Sequence, residues 1–73
     1  MITEFESTIL ENIHYHFSKL KSGSWFCKLL SDNPAFTDLI IYKDRNVWKS
    51  GQGPLPYIAN LGECVDGRQN ILP

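Results

Sequence analysis

The sequence has no strong excess of charge of either sign. Seven Lys and Arg residues stand against eight Asp and Glu residues, which gives a formal net charge of −1. A protein that binds nucleic acid mainly through the phosphates usually carries a marked basic excess. The charge balance therefore disfavours nucleic acid as the main partner.

Long hydrophobic runs and a secretory leader are both missing. No window approaches the roughly 18 apolar residues that a membrane-spanning helix needs. The first residues, MITEFESTILEN, carry acidic groups where a leader needs basic residues followed by an apolar stretch. We therefore expect a cytoplasmic protein with no membrane partner, in which the two cysteines, Cys27 and Cys64, stay reduced.

The sequence also lacks recognisable catalytic and metal-binding patterns. It contains no phosphate-binding loop with a following lysine, no paired-acid motif and no Ser-His-Asp order. Structural zinc sites usually take ligands in close pairs, whereas Cys27 and Cys64 are far apart. If the first segment is helical, His14 and His16 point to opposite sides and cannot share a metal. We predict that the protein is not an enzyme and holds neither a cofactor nor a metal.

The sequence does have a high content of apolar and aromatic residues for its length. Hydrophobic residues make up 42% of the 73 positions and aromatic residues 12%, which favours a compact core over disorder. This length suffices for a single small domain, residues 1–73. A core of this size rarely leaves more than about 3–5 kcal/mol of net stability, so such chains often depend on a partner.

The first segment shows an apolar spacing typical of a helix. Apolar residues recur at intervals of four, at Phe5, Ile9, Ile13 and Phe17. This stripe fits one face of an α-helix. Thr3 and Glu6 have the spacing of a capping box, and Gly23 can end the last turn. We predict a helix over residues 3–21.

Three short apolar segments follow, separated by turn-forming residues. Residues 24–30 end at the turn formers SDNP, residues 37–43 are rich in β-branched side chains, and residues 46–50 follow a tight turn. This pattern predicts an antiparallel meander of three strands.

The C-terminal segment supports two interpretations. PLPYIANLG forms a short helix that starts at Pro56 and stops at Gly62, or it lies extended on the sheet. The pair Asp66-Gly67 is a local hairpin signal. The whole chain predicts an α+β fold, with an N-terminal α-helix packed on a small three-stranded antiparallel β-meander and an irregular C-terminal segment.

The unbroken apolar run from Leu39 to Tyr42 raises the question of what covers the sheet. A half-buried strand normally alternates apolar and polar residues. Leu39 and Ile41 point to one face, whereas Ile40 and Tyr42 point to the other. Because one helix buries only one face, the second face needs the C-terminal segment, a second copy or another macromolecule as its cover.

Aromatic residues near such a face are the candidate binding residues, because Trp and Tyr are common at the energetic centres of interfaces. On this ground we select Trp25, Phe26, Tyr42, Trp48 and Tyr57. The main hypothesis is a protein-binding regulator or inhibitor that occupies a surface of a larger protein or complex. Small chains of this kind are frequent among phage and mobile-element products that act on a host machine, such as the transcription apparatus or a defence nuclease.

Two alternatives belong to other functional classes. The first is a module for single-stranded nucleic acid, with Trp25, Trp48 and Tyr42 as stacking platforms and the lysines of residues 19–28 on the phosphates. The second is a homodimeric structural subunit joined through the sheet. The first predicts a steep dependence of affinity on salt concentration.

Overall fold

The computed structural model describes residues 2–69, which form a five-stranded antiparallel sheet and one helix. The strands lie in the sheet in chain order, so each connection joins neighbouring strands. The elements are β1 (Glu4–Ile9), β2 (Ile13–Lys19), β3 (Trp25–Leu29), β4 (Leu39–Asp44), β5 (Val47–Ser50) and α1 (Ile58–Gln69). The predicted architecture, an N-terminal helix on a three-stranded meander, is therefore wrong.

Residues 3–21 contain the β1–β2 hairpin in place of the predicted helix. A spacing of four residues is close to one helical turn and equal to two strand repeats, so it fits both structures. The strand period is visible in the alternation of β2, where Ile13, Tyr15 and Phe17 are buried. Tyr15 lies outside the helical stripe, and its burial requires a strand.

The β1–β2 turn adopts backbone angles that the turn propensities of its residues do not predict. Leu10 and Glu11 have φ values of 48° and 76°, in a region that non-glycine residues rarely occupy. The Asn12 amide donates to the Leu10 carbonyl across 3.0 Å. The predicted capping box at Thr3 and Glu6 is also wrong, because no helix begins there. The Thr3 carbonyl instead accepts a hydrogen bond from the Lys19 amide of the paired strand.

The three predicted strands of the meander are confirmed as β3, β4 and β5. The tight turn between β4 and β5 has Arg45 and Asn46 at its centre, with φ values of 54° and 66°. Two central residues with positive φ are typical of the two-residue hairpin turn that matches strand twist.

The C-terminal segment contains α1, a 12-residue helix that passes through Gly62 and Gly67. The hairpin signal at Asp66-Gly67 and the predicted stop at Gly62 are therefore wrong. Leu61 and Val65 are fully buried against the sheet, which explains why tertiary packing overrides the two glycines. The predicted irregular C-terminal segment is therefore wrong, since this segment forms the single helix of the described residues.

The core lies between α1 and one face of the sheet. Phe5 stacks on Phe17 with ring centroids 4.5 Å apart, and the Trp25 ring meets Phe5 edge-on at 5.6 Å. The other core side chains are Ile9, Ile13, Tyr15, Cys27, Leu39, Ile41, Tyr57, Ile58, Leu61 and Val65. Within residues 2–69, no helix is both long enough and apolar enough to cross a membrane.

Candidate functional site

The sheet has one face against α1 and one face that no described element covers. On β4, Leu39 and Ile41 are fully buried, whereas Ile40 and Tyr42 each keep 38% of their surface exposed. The predicted division of the β4 side chains between two faces is thus confirmed. We call the uncovered side the open face.

Strand pairing gathers apolar side chains on the half of the open face formed by β3, β4 and β5. Phe26 on β3 pairs with Ile40 on β4, and Tyr42 is the next residue of β4 on this face. Val47 on β5 pairs with Asp44 and is 55% exposed. We call Phe26, Ile40, Tyr42 and Val47 the apolar patch.

The other half of the open face is polar. Glu6, His16 and Lys28 are paired neighbours on β1, β2 and β3. The His16 ring nitrogens lie 3.0 Å from a Glu4 carboxylate oxygen and 3.6 Å from a Glu6 carboxylate oxygen. Both glutamate side chains are about two-thirds exposed, at 67% and 68%. The acidic groups therefore lie at the β1 side of the open face, with His16 and Lys28 between them and the patch.

The strand assignment also changes the geometry of the two histidines. His14 and His16 belong to β2, so both point to the open face, in contrast to the opposite directions expected on a helix. Among residues 2–69, however, no three side chains of His, Cys, Asp or Glu gather closely enough to hold a metal ion.

The structure separates the five residues selected as binding candidates. Trp25 and Tyr57 lie in the core, with 1% and 4% of their surface exposed. Trp48 is half-buried on the helix side of β5. Phe26 and Tyr42 share the open face. Ile40 and Val47 complete the patch, and the selection missed them because it considered only aromatic residues.

The indole of Trp48 connects α1 to the β4–β5 hairpin. Its Nε1 donates to one carboxylate oxygen of Asp66 at 3.1 Å, and Lys43 Nζ donates to the other at 3.0 Å. Burial raises the pKa of Asp66, but the hydrogen bonds from Trp48 and Lys43 outweigh it and hold the pKa below its usual value. This arrangement is structural, because every polar group in it has a partner inside the molecule.

The two cysteines lie in different environments, and the Cys27 thiol is placed for packing. Both cysteines are free, with Cys27 buried in the core and Cys64 half-buried on α1. Burial, with a smaller contribution from Cys64, raises the pKa of Cys27 to about 12. A thiol with so high a pKa stays protonated and unreactive at neutral pH.

Side chains of α1 contact two outward carbonyls of the edge formed by β1. The Lys19 amide donates to Thr3, so the alternation of an antiparallel ladder turns the backbone groups of Glu6 and Thr8 outwards. Arg68 Nη2 donates to the Glu6 carbonyl at 3.3 Å, and the Cys64 thiol lies 3.8 Å from the Thr8 carbonyl.

The edge formed by β5 is open by comparison. The Gly51 amide donates to the Ile40 carbonyl, which fixes the same alternation along β4 and β5. The backbone groups of Trp48 and Ser50 therefore point away from β4. The Ser50 carbonyl accepts from the Gly53 amide at 3.2 Å, and the Trp48 amide and carbonyl face outwards.

A groove of about 440 Å³ runs along this edge. Trp48, Lys49 and Ser50 form one wall, and the segment from Gly53 to Ala59 forms the other. Pro54, Leu55 and Ile58 make the second wall predominantly apolar. Tyr42 also contributes to the groove, which therefore adjoins the open face.

No similarity to a known protein accompanies this geometry. No protein-family model matches the chain, and no curated protein or solved structure is significantly similar to it. The open face and the β5 edge are therefore the features of the molecule that bear on its function.

Proposed function

We propose that the chain is a non-enzymatic protein-binding domain that docks through its open face on a folded surface of a larger protein. The supporting observation is the apolar patch of Phe26, Ile40, Tyr42 and Val47 on a face that no described element covers. Exposed apolar side chains gathered on one face of a small protein usually mark an interaction surface. The ion pair Lys49–Asp44 lies on the same face, beside Tyr42 and Val47.

The charges around the patch define the partner's chemistry. The exposed carboxylates of Glu4 and Glu6 border the face on the β1 side. A complementary partner surface is apolar at its centre and basic where it meets β1, because opposite charges at the rim orient a complex. We propose a different protein as the partner, and sedimentation of the wild type and Ile40→Glu distinguishes it from a second copy.

The remaining parts of the hypothesis rest on the sequence. We propose that docking regulates or inhibits the partner, that it takes place in the cytoplasm, and that the chain belongs to the small phage or mobile-element proteins that act on host machines. The two free cysteines are consistent with a reducing compartment.

The nucleic-acid alternative loses two of its three stacking residues. Trp25 is buried and Trp48 lies on the helix side, so Tyr42 alone remains of that set on the open face. Glu4 and Glu6 lie on the same face and repel phosphates. These positions favour a protein partner.

The test compares capture from a lysate, with and without nuclease treatment, by the wild type, Ile40→Glu and the control Thr8→Glu. Both substitutions add one negative charge to an exposed position of the open face. We expect Ile40→Glu to weaken binding of the captured and then purified protein at least about tenfold, because a charge enters the apolar contact. Thr8→Glu should bind at least as tightly as the wild type, because its charge enters at β1, where the proposed partner is basic.

Three results would contradict the proposal. One is equal binding by Ile40→Glu and the wild type, measured with the purified partner by calorimetry. Another is a captured species that nuclease removes. The third is a wild type that sediments as a dimer while Ile40→Glu sediments as a monomer, since this result assigns the open face to a second copy.

A further inference from the structure

The two edges of the sheet differ in what their outward backbone groups contact. Unpaired strand edges attract other strands, and proteins normally cover or charge them. On β1, Arg68 and Cys64 contact two of the outward carbonyls, those of Glu6 and Thr8. The outward amide and carbonyl of Trp48 on β5 face a groove, which leaves a donor and an acceptor available to an incoming strand.

The groove provides a place for side chains of such a strand. Alternate residues of an added strand point to one side of the sheet, and on the helix side they meet the wall of Pro54, Leu55 and Ile58. This wall is apolar, so it fits apolar side chains at alternate positions. The backbone supplies affinity and the wall supplies selectivity, as in other cases of strand addition.

The charge of the hairpin tip indicates a further feature of the ligand. Residues 43–49 contain three basic residues and one acidic residue, a local charge of +2 in a chain of net charge −1. Lys43 pairs with Asp66 and Lys49 pairs with Asp44. Among the described residues, Arg45 at the turn makes no ion pair, so a carboxylate near it gains a partner.

We propose that an extended segment of another protein adds to β5 as a sixth, antiparallel strand. Its backbone exchanges hydrogen bonds with the amide and carbonyl of Trp48, and an apolar side chain occupies the groove against Leu55. Because the strand runs antiparallel to β5, its C-terminal end meets the hairpin tip, where an acidic residue faces Arg45. This site goes beyond the open face, with which it shares Tyr42, and its backbone contacts do not involve Ile40.

A second copy of the chain fits this edge less well than a single extended segment. Two β5 strands paired across a twofold axis place the Gly53–Ala59 wall of each copy beside the same edge. The Trp48 indole of the second copy is held by its own Asp66, so it is not free to fill the groove. A single extended segment brings neither a second Gly53–Ala59 wall nor a second Trp48 indole to this edge.

The experiment selects short random peptides displayed on phage against the full-length protein. We expect enriched peptides with apolar residues at alternate positions and an Asp or Glu at the C-terminal end. In the synthetic peptide, a single backbone N-methyl group at the residue opposite Trp48 should abolish binding, whereas N-methylation of the next residue should leave it within about twofold.

Variants of the protein separate this site from the open face. Arg45→Glu should weaken the acidic peptide about tenfold and bind a peptide with Lys at that position more tightly. Ile40→Glu should bind the peptide as the wild type does, even if it loses the folded partner. The inference is overturned if selection enriches no peptide, if N-methylation acts alike at both positions, or if Arg45→Glu leaves the acidic and basic peptides unchanged.

Discussion

Gly62 lies where α1 packs directly on the indole ring of Trp48. A Cβ atom at this position would overlap the Cγ and Cδ1 atoms of the ring, so no larger residue fits without moving it. Gly67 in the same helix faces open space, where a Cβ atom meets nothing within 4 Å. The two glycines therefore have different physical roles despite their common cost in helix propensity.

Gly62→Ala should destabilise the protein by about 1–3 kcal/mol, because overpacking outweighs the gain in helix propensity. Gly67→Ala should stabilise it by about 1 kcal/mol, since only the propensity changes. Urea unfolding followed by tryptophan fluorescence measures both free energies. A Gly62→Ala protein as stable as Gly67→Ala would show that α1 does not pack on Trp48 in this way.

Residue type predicts burial poorly at the same scale. Trp25, Trp48 and Tyr57 were selected for binding because they are aromatic, yet all three lie on the helix side of the structure or in its core. The strand period correctly divides Ile40 and Tyr42 from Leu39 and Ile41, because side-chain alternation is a property of the backbone. Periodicity therefore carried more information about the candidate site than chemical type did.

At the scale of elements, α1 is attached to the β4–β5 hairpin through Asp66. The carboxylate accepts from Trp48 Nε1 and from Lys43 Nζ, on two different strands. These hydrogen bonds stabilise the ionised form, so they lower the pKa of Asp66 in the folded state. The attachment is therefore sensitive to acid.

A group whose pKa is lower in the folded state stabilises the fold above its unfolded pKa, which is about 3.9 for Asp. This stability is lost as the pH falls through the lower, folded value. Asp66→Asn should therefore be less stable than the wild type at pH 7, and the difference should shrink as the pH falls below about 4. Urea unfolding at a series of pH values measures the difference.

Asp32→Asn is the matched control, because Asp32 is exposed and its carboxylate makes no hydrogen bond or ion pair within residues 2–69. Its stability should follow that of the wild type at every pH. If the difference in the free energy of unfolding between Asp66→Asn and the wild type stays constant down to pH 2, the ionised form of Asp66 does not stabilise the fold.

The elements also show where sequence reasoning stops. The strands β3, β4 and β5 follow from turn formers and β-branched runs that allow one interpretation. Residues 3–21 allow two interpretations, because apolar residues at intervals of four fit a helix and a strand alike. In the fold, this segment meets α1, whose Cys64 and Arg68 contact the carbonyls of Thr8 and Glu6 on β1. Local signals do not contain these contacts.

At the scale of the whole molecule, the sheet is buried on one side only. Five strands present a broad surface, and the single helix α1 covers the side that carries Leu39 and Ile41. The apolar patch on the other side is thus not part of the core, although its residue types are the same. Neighbouring residues of one strand should therefore differ in role, with one contributing to stability and the next to binding.

Ile40 and Ile41 test this separation, since they are adjacent, identical in type and opposite in direction. Ile41 is fully buried, so Ile41→Ala should cost about 2–5 kcal/mol through lost burial and a cavity. Ile40→Ala should cost less than about 1 kcal/mol, because 38% of its surface is already exposed. Urea unfolding of both variants measures the two costs.

The same pair should show the reverse order in binding. Ile40→Ala removes a side chain from the proposed contact and should weaken the folded partner's binding, whereas Ile41→Ala, measured where it remains folded, should not. If both substitutions cost similar stability, the open face is covered in solution and the patch belongs to a second core. That result would leave the β5 edge as the remaining binding surface, because its groove lies beside Trp48 and Leu55 and depends on neither isoleucine.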